Sequence, residues 1–352
     1  MIQMIQSHSS SIWSIALHES LPLLIAGGND GSAKIWNTKE CKYLHPPQSE
    51  TIERAYSLCR KQSLHSLQMF KVPLEQIQFS SNHEHNVKQV LCGIEVTMIK
   101  DSTSVLLATR SGSVMSLNLS KQQWTQHPTW KLNLNKDERA LVGECIASFV
   151  PAQVVAVGCC SGDVVLSSLH HSCRHLSFAT EQCLRGIKKM KWVKDESTIN
   201  LISCHIKGTV SVVGFSYTEM IYFHKKDPNI LFKRKLLMNT VGVPISLSYS
   251  SELLFVGDTR GNVAFFSKVF DFNSTPSKTF EDKVDKAHGR EHVTAISAGK
   301  NNRVYSVGAD GCLVAYIIDS TNRKLQKILT YPMRTFASLV AKFMVVRVSR
   351  RT

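Results

Sequence analysis

No apolar run in this chain approaches the roughly 20 residues that a membrane-crossing helix requires, and the N-terminus MIQMIQSHSS has neither the basic flank nor the apolar stretch of a secretory signal. Membrane association and export by that route are therefore not expected. Catalytic signatures are missing too. There is no phosphate-cradling glycine loop followed by Lys-Ser/Thr, no Gly-x-Ser-x-Gly elbow and no HExxH. No glycine-rich βα unit is present to hold a dinucleotide or S-adenosylmethionine, so neither catalysis nor a cofactor is expected. Acidic residues are scarce beside basic ones, 27 against 42, a formal charge of +15. That imbalance favours a polyanionic partner such as nucleic acid and says nothing of fold. The ten cysteines are scattered through strand-like runs such as LCGI and LISCH, the pattern of small buried hydrophobes in a reducing compartment, and point to the cytoplasm.

What the chain does contain is a repeat. An apolar strand, a turn ending in glycine and a second apolar strand recur as LLIAGGNDGSAKIW, LLATRSGSVMSLNL, VVAVGCCSGDVVLSSL, LISCHIKGTVSVVGF, LLFVGDTRGNVAFFS and VYSVGADGCLVAYII. The turn glycines Gly31, Gly112, Gly162, Gly208, Gly261 and Gly311 are separated by 81, 50, 46, 53 and 50 residues. Glycine suits such turns because it adopts positive φ without steric cost. Asp310-Gly311 reads as a near-ideal type I′ turn, and Lys207-Gly208 as a weaker one. A further strand candidate precedes each hairpin. Four strands every 40 to 50 residues with almost no helix signal predict an all-β chain of β-propeller blades, ahead of a β-sandwich with regular strand spacing.

His8, Asn29-Asp30-Gly31 and Lys34-Ile35-Trp36-Asn37 together resemble one WD40 repeat. That resemblance implies that His8, Asp30, Gly31 and Trp36, and in the last unit His288, Asp310 and Gly311, serve blade architecture. Ala26 stands where such repeats often carry Ser, and no later unit ends in Trp-Asp. The polar network of the repeat is therefore expected to be incomplete in the first unit and weaker still in the others. Residues 11–36 and the segment HGREHVTAISAGKNNRVYSVGADGCLVAYII (288–318) resemble the WD repeat-containing protein 6 family. Its members are large multi-propeller cytoplasmic proteins, the non-catalytic partners of an FtsJ-like methyltransferase that modifies the ribose 2′-hydroxyl at the tRNA wobble position. By that resemblance the chain is a fragment or truncated form.

The long first spacing suggests four segments. Residues 1–38 read as the closing blade of a preceding propeller, and 39–92 as a linker with a possible amphipathic helix over 51–70. Residues 93–320 read as a five-bladed propeller, and 321–352 as a partial further blade or tail. A single ring of six or seven blades is the competing arrangement.

Candidate sites are few. Leu169 to His175 groups three histidines with Cys173, but no second cluster completes a tetrahedral metal site. His83 and His85 read as linker residues, and Cys159-Cys160 as packing residues beside a hairpin rather than a redox pair. Between Arg185 and Lys235 there are 11 basic and 4 acidic residues, a net +7 in 51 positions. Lys188, Lys189, Lys191, Lys194, Lys225, Lys226, Lys233, Arg234 and Lys235 are the candidate RNA-binding residues, since cations on a surface displace counterions from a phosphate backbone. Strand alternation turns Met190 and Trp192 away from Lys189 and Lys191, so Trp192 is expected between blades. The expected function is a scaffold subunit that binds the FtsJ-like tRNA 2′-O-methyltransferase and tRNA. The alternative is a protein-interaction propeller, such as a signalling or autophagy adaptor, without an RNA role. A propeller hydrolase is disfavoured because no inward carboxylate or histidine set recurs.

Overall fold

A computed structural model describes residues 143–169, 174–180, 186–250, 252–270, 280–299, 302–319 and 323–332, together with the strands named below between residues 12 and 126. Its strands form six four-stranded antiparallel sheets, each built from strands consecutive in the chain. The first contains β1 (Ile12–Leu17), β2 (Leu23–Gly28), β3 (Ser32–Asn37) and β4 (Gln68–Lys71). The second contains β5 (Leu91–Ile99), β6 (Ser102–Thr109), β7 (Val114–Asn118) and β8 (Gln123–Gln126). The third contains β9 (Gly143–Phe149), β10 (Val154–Cys159), β11 (Asp163–Ser168) and β12 (His175–Ala179). The fourth contains β13 (Ile187–Asp195), β14 (Thr198–His205), β15 (Thr209–Ser216) and β16 (Ile230–Leu237). The fifth contains β17 (Pro244–Ser250), β18 (Leu253–Asp258), β19 (Val263–Ser267) and β20 (Asp282–Val284). The sixth contains β21 (Val293–Ala298), β22 (Arg303–Gly308), β23 (Cys312–Asp319) and β24 (Lys324–Pro332).

The first strands of successive sheets pack on one another, β1 on β5, β5 on β9, β9 on β13, β13 on β17 and β17 on β21. The sheets thus follow each other as propeller blades, with these first strands innermost. Sequence pattern follows position. The middle strands β10 and β14 are buried along their whole length because a neighbouring sheet covers each face, so VVAVGC and TINLISCH read as continuous runs rather than alternations. Outer strand β12 alternates between exposed and half-buried. Cores lie between sheets: Phe149, Ile187, Phe215 and Phe223 between the third and fourth, Val212, Met238, Leu254 and Phe266 between the fourth and fifth, and Phe265, Val293 and Tyr316 between the fifth and sixth.

Three features depart from the segmentation expected from sequence. Gln68–Lys71, inside the stretch read as a linker, is the outer strand of the first sheet and satisfies the edge of β3. The extra thirty or so residues of the first spacing therefore sit mainly in the β3–β4 connection. The helix expected over 51–70 ends in this strand, and its other positions lie outside the described residues. The first sheet, through β1 on β5, continues the same series as the others rather than standing apart. Lys324–Pro332, inside the segment read as a partial further blade or tail, completes the sixth sheet by pairing with β23. Residues 339–352 lie outside the described set.

The turns also differ from the expected type. Gly311 N–H donates to Gly308 O at 3.1 Å and Gly311 has φ +72°, while Asp310 is absent from the residues with positive φ. This is a three-residue loop with glycine in the left-handed position, not a type I′ turn, which needs positive φ at both central residues. The loop closed by Gly162 N–H on Cys159 O at 3.1 Å repeats it. Gly208 has φ +66°, and a Cβ there would lie 2.7 Å from Thr240 O and 3.2 Å from Gly242 O, backbone atoms that cannot rotate away. Valine at either position costs roughly 1–3 kcal/mol from backbone strain alone. Gly208→Val is expected to lower the melting temperature further than Gly311→Val, reversing the order that the turn sequences suggest. An equal or larger drop for Gly311→Val would show that the Thr240 wall yields.

Candidate nucleic-acid interface

Seven of the nine basic candidates lie on two strands of the fourth sheet and two on a connection between its strands, so its topology divides them. On β13 the even positions face the third sheet, and a register shift at its start turns Ile187 to the same side. Lys188 Nζ is 2.8 Å from Glu144 Oε2, Met190 is buried, and Trp192 Nε1–H donates to Ala147 O at 3.1 Å while packing near Phe149 and Phe215. Lys194 Nζ lies 4.2 Å from the centroid of Tyr217. Trp192 is thus held between sheets, where alternation places it. Val193, an odd position, joins the core with the fifth sheet, and Lys189 and Lys191 are exposed on the innermost strand.

Lys233, Arg234 and Lys235 lie on β16, at the other edge of the same sheet. Two strands intervene, so the β13 and β16 groups are separated by about 14 Å of sheet. Lys233 Nζ donates to Ala179 O at 2.6 Å on the third sheet, and Arg234 Nη1 donates to Lys268 O at 2.9 Å beside the fifth. Alternation sends these neighbouring cations to opposite faces, where each bridges to the adjacent sheet. Lys233 and Arg234 are therefore not a freely solvated pair.

Lys225 and Lys226 belong to neither strand. They sit in the β15–β16 connection, which opens with the short helix α1 (Tyr217–Ile221), capped by Ser216 Oγ accepting from Glu219 N–H at 3.5 Å. Arg174 Nη1 reaches across from the third sheet to Asp227 Oδ1 at 2.8 Å. Replacing Lys233 and Arg234 together by Gln is expected to lower the thermal midpoint, whereas Lys225→Gln with Lys226→Gln leaves it unchanged. Thermal melts of the two double variants decide the matter, and equal midpoints would remove the bridging role.

Other candidates resolve individually. Among the described residues no group of three or more His, Cys, Asp or Glu is placed to hold a metal ion. His170, His171, Cys173, His83 and His85 lie outside the described residues. His175 Nδ1 meets Ser167 Oγ at 3.0 Å, and burial lowers its pKa. Cys159 is buried with its thiol pushed up to about 12, chiefly by desolvation, whereas Cys160 is exposed. His8, Asp30 and Gly31 lie outside the described residues, and Trp36 falls on β3.

The sixth sheet corrects the expectation of a weakened network. His288 Nδ1 is 2.9 Å from Asp310 Oδ1 and its Nε2 is 2.6 Å from Ser306 Oγ, which is 2.8 Å from Tyr316 Oη. A carboxylate only accepts, so Nδ1 carries the proton. Ser306 then donates to Nε2 and Tyr316 donates to Ser306. Tyr316 supplies the aromatic end that Trp supplies in the resemblance, and a search for Trp-Asp passes over it.

Comparison with known proteins agrees with this geometry. The model of the WD domain, G-beta repeat family matches residues 1–37. No curated protein matches the chain. Among solved structures, "Structure of U3-55K" is similar at 13% identity and TM-score 0.61, covering 94% of this chain and 84% of that one. "Crystal structure of RRP9 WD40 repeats" is similar at 12% identity and TM-score 0.62, covering 94% and 83%. A chain of "Crystal Structure of Mitotic Checkpoint Complex" is similar at 12% identity and TM-score 0.56, covering 90% and 76%. At such identities the likeness is one of fold. The fold is a WD40-like β-propeller. Among the described residues no helix is long and apolar enough to cross a membrane.

Proposed function

We propose that this chain is a non-catalytic scaffold that binds an FtsJ-like tRNA 2′-O-methyltransferase and supports ribose methylation of tRNA at the wobble position. The observation that carries the reading is the segment 288–318, whose sequence resembles the WD repeat-containing protein 6 family and whose His288, Ser306, Asp310 and Tyr316 form one hydrogen-bonded unit. A scaffold of this kind acts by holding enzyme and tRNA in one geometry, replacing an orientational search by a bound arrangement.

A second reading, a protein-interaction propeller with no RNA role, draws support from one observation. Lys233 and Arg234, the densest part of the basic stretch, are engaged with neighbouring sheets.

Affinity purification of the tagged chain from cells distinguishes the two. Recovery of tRNA together with a 2′-O-methyltransferase is expected, and the purified chain alone should transfer no methyl group to tRNA from a labelled donor. Recovery of protein partners without tRNA or methyltransferase would favour the second reading. Robust labelling by the chain alone, free of contaminating enzyme, would overturn both.

A further inference from the structure

The β15–β16 connection, residues 217–229, is closed on itself by its own residues. Met220 and Phe223 are fully buried and anchor it to the core between the third and fourth sheets. Glu219 accepts from Asn229 N–H at 2.8 Å and from Asn229 Nδ2 at 3.2 Å, which ties its two ends together. Lys225 and Lys226 N–H both donate to Tyr222 O, at 2.8 and 3.1 Å. The excursion is therefore a fixed platform. It presents one aromatic ring outward, Tyr222, 51% exposed although its neighbour Phe223 is buried. Lys225 Nζ lies 5.5 Å from that ring's centroid, the His224 ring is 6.4 Å away, and Lys226 is exposed beside them. The nearby anion Asp227 is already paired with Arg174.

We infer that Tyr222, Lys225 and Lys226 form a stacking platform for single-stranded RNA, which rests on the RNA role proposed above. An unpaired base lies against the tyrosine ring while the two ammonium groups meet the flanking phosphates. An acidic peptide would need the cations but not the exposed ring. A duplex keeps its bases stacked internally and has nothing to offer the ring.

The test uses the full chain with a short labelled single-stranded RNA and an RNA duplex of equal length, at two salt concentrations. Tyr222→Ala is expected to weaken single-strand binding roughly ten-fold or more, Tyr222→Phe to retain it, and duplex binding to be indifferent to both. Lys225→Gln with Lys226→Gln should flatten the salt dependence by up to about 0.7 in log–log slope for each phosphate no longer neutralised. Because Tyr222 is exposed, thermal melts of the variants should match the parent. Single-strand binding that is unaffected by Tyr222→Ala would overturn the platform while leaving the RNA role standing. No binding to either RNA by the parent chain, even at low salt, would sink the RNA role and the platform with it.

Discussion

Asp258→Ala should lower the stability of the folded chain by on the order of 3–5 kcal/mol, among the largest losses any single substitution can cause here. Asp258 is fully buried at the end of β18. Its Oδ1 accepts from the backbone N–H of Arg260 at 2.8 Å and of Asn262 at 2.9 Å, and its Oδ2 from Thr240 Oγ1 at 2.8 Å and Asn262 Nδ2 at 2.7 Å. A buried carboxylate without a cation is tolerable only when its lone pairs are filled in this way. Alanine removes the acceptor and leaves four donors behind, and an unsatisfied buried donor costs more than a hydrogen bond gains. The loss also travels. Asn262 Oδ1 accepts from Lys286 N–H at 3.0 Å, so the same cluster positions the connection entering the sixth sheet. Asp258→Asn should fall between, since its Oδ1 still accepts from the two backbone groups while its amide nitrogen confronts two donors. Urea midpoints at unchanged slope give the comparison. An alanine variant within about 0.5 kcal/mol of the parent, the range of an ordinary surface change, would show that water replaces the carboxylate.

This cluster shows what the sequence disclosed and what it withheld. The strand–glycine–strand units were legible because they are local: alternation, β-branched runs and a turn glycine occupy a dozen consecutive residues. The sixth sheet was legible in part, since His288 and Asp310 stand at repeat positions, but Tyr316 hides the aromatic member behind a different residue type. Asp258 was not legible as a hub. In VGDTRGNV it is one more turn-flanking acid, and its role depends on Thr240, which arrives on a separate connection. The outer strand of the first sheet was not legible, because Gln68–Lys71 is short and lies about thirty residues beyond β3, so only hydrogen bonding across that gap reveals it. The basic stretch misled for the opposite reason. Closeness along the chain brings Lys188 and Lys235 into one window, whereas antiparallel pairing places their strands at opposite edges of a sheet.

His288→Leu should destabilise the sixth sheet by about 2–3 kcal/mol at pH 8, with a difference from the parent that shrinks as the pH falls. Leucine approximates the volume of the ring but leaves Ser306, which is fully buried, without its acceptor. Asp310 suffers less, because it still accepts from Cys312 N–H at 3.0 Å and reaches solvent. Burial lowers the pKa of His288, and the hydrogen bond and charge of Asp310 offset this only in part. The folded-state value therefore lies below the ordinary histidine value of about 6.5. Between the two the unfolded chain binds the proton and the folded chain does not. The stability held by the neutral ring is thus fully present above pH 6.5 and is lost as the pH falls toward the folded-state value, by at most about 1.4 kcal/mol per pH unit. Structure gives the same sign. A proton on Nε2 would face the Ser306 hydroxyl that now donates to it, and the chain from Tyr316 through Ser306 would have to reverse. His175, whose pKa burial also lowers, is common to both proteins, so its contribution cancels in the difference. Denaturant titrations of parent and variant at pH 8, 6.5 and 5.5 measure it. A difference that stays constant across this range would mean that His288 does not change protonation on unfolding.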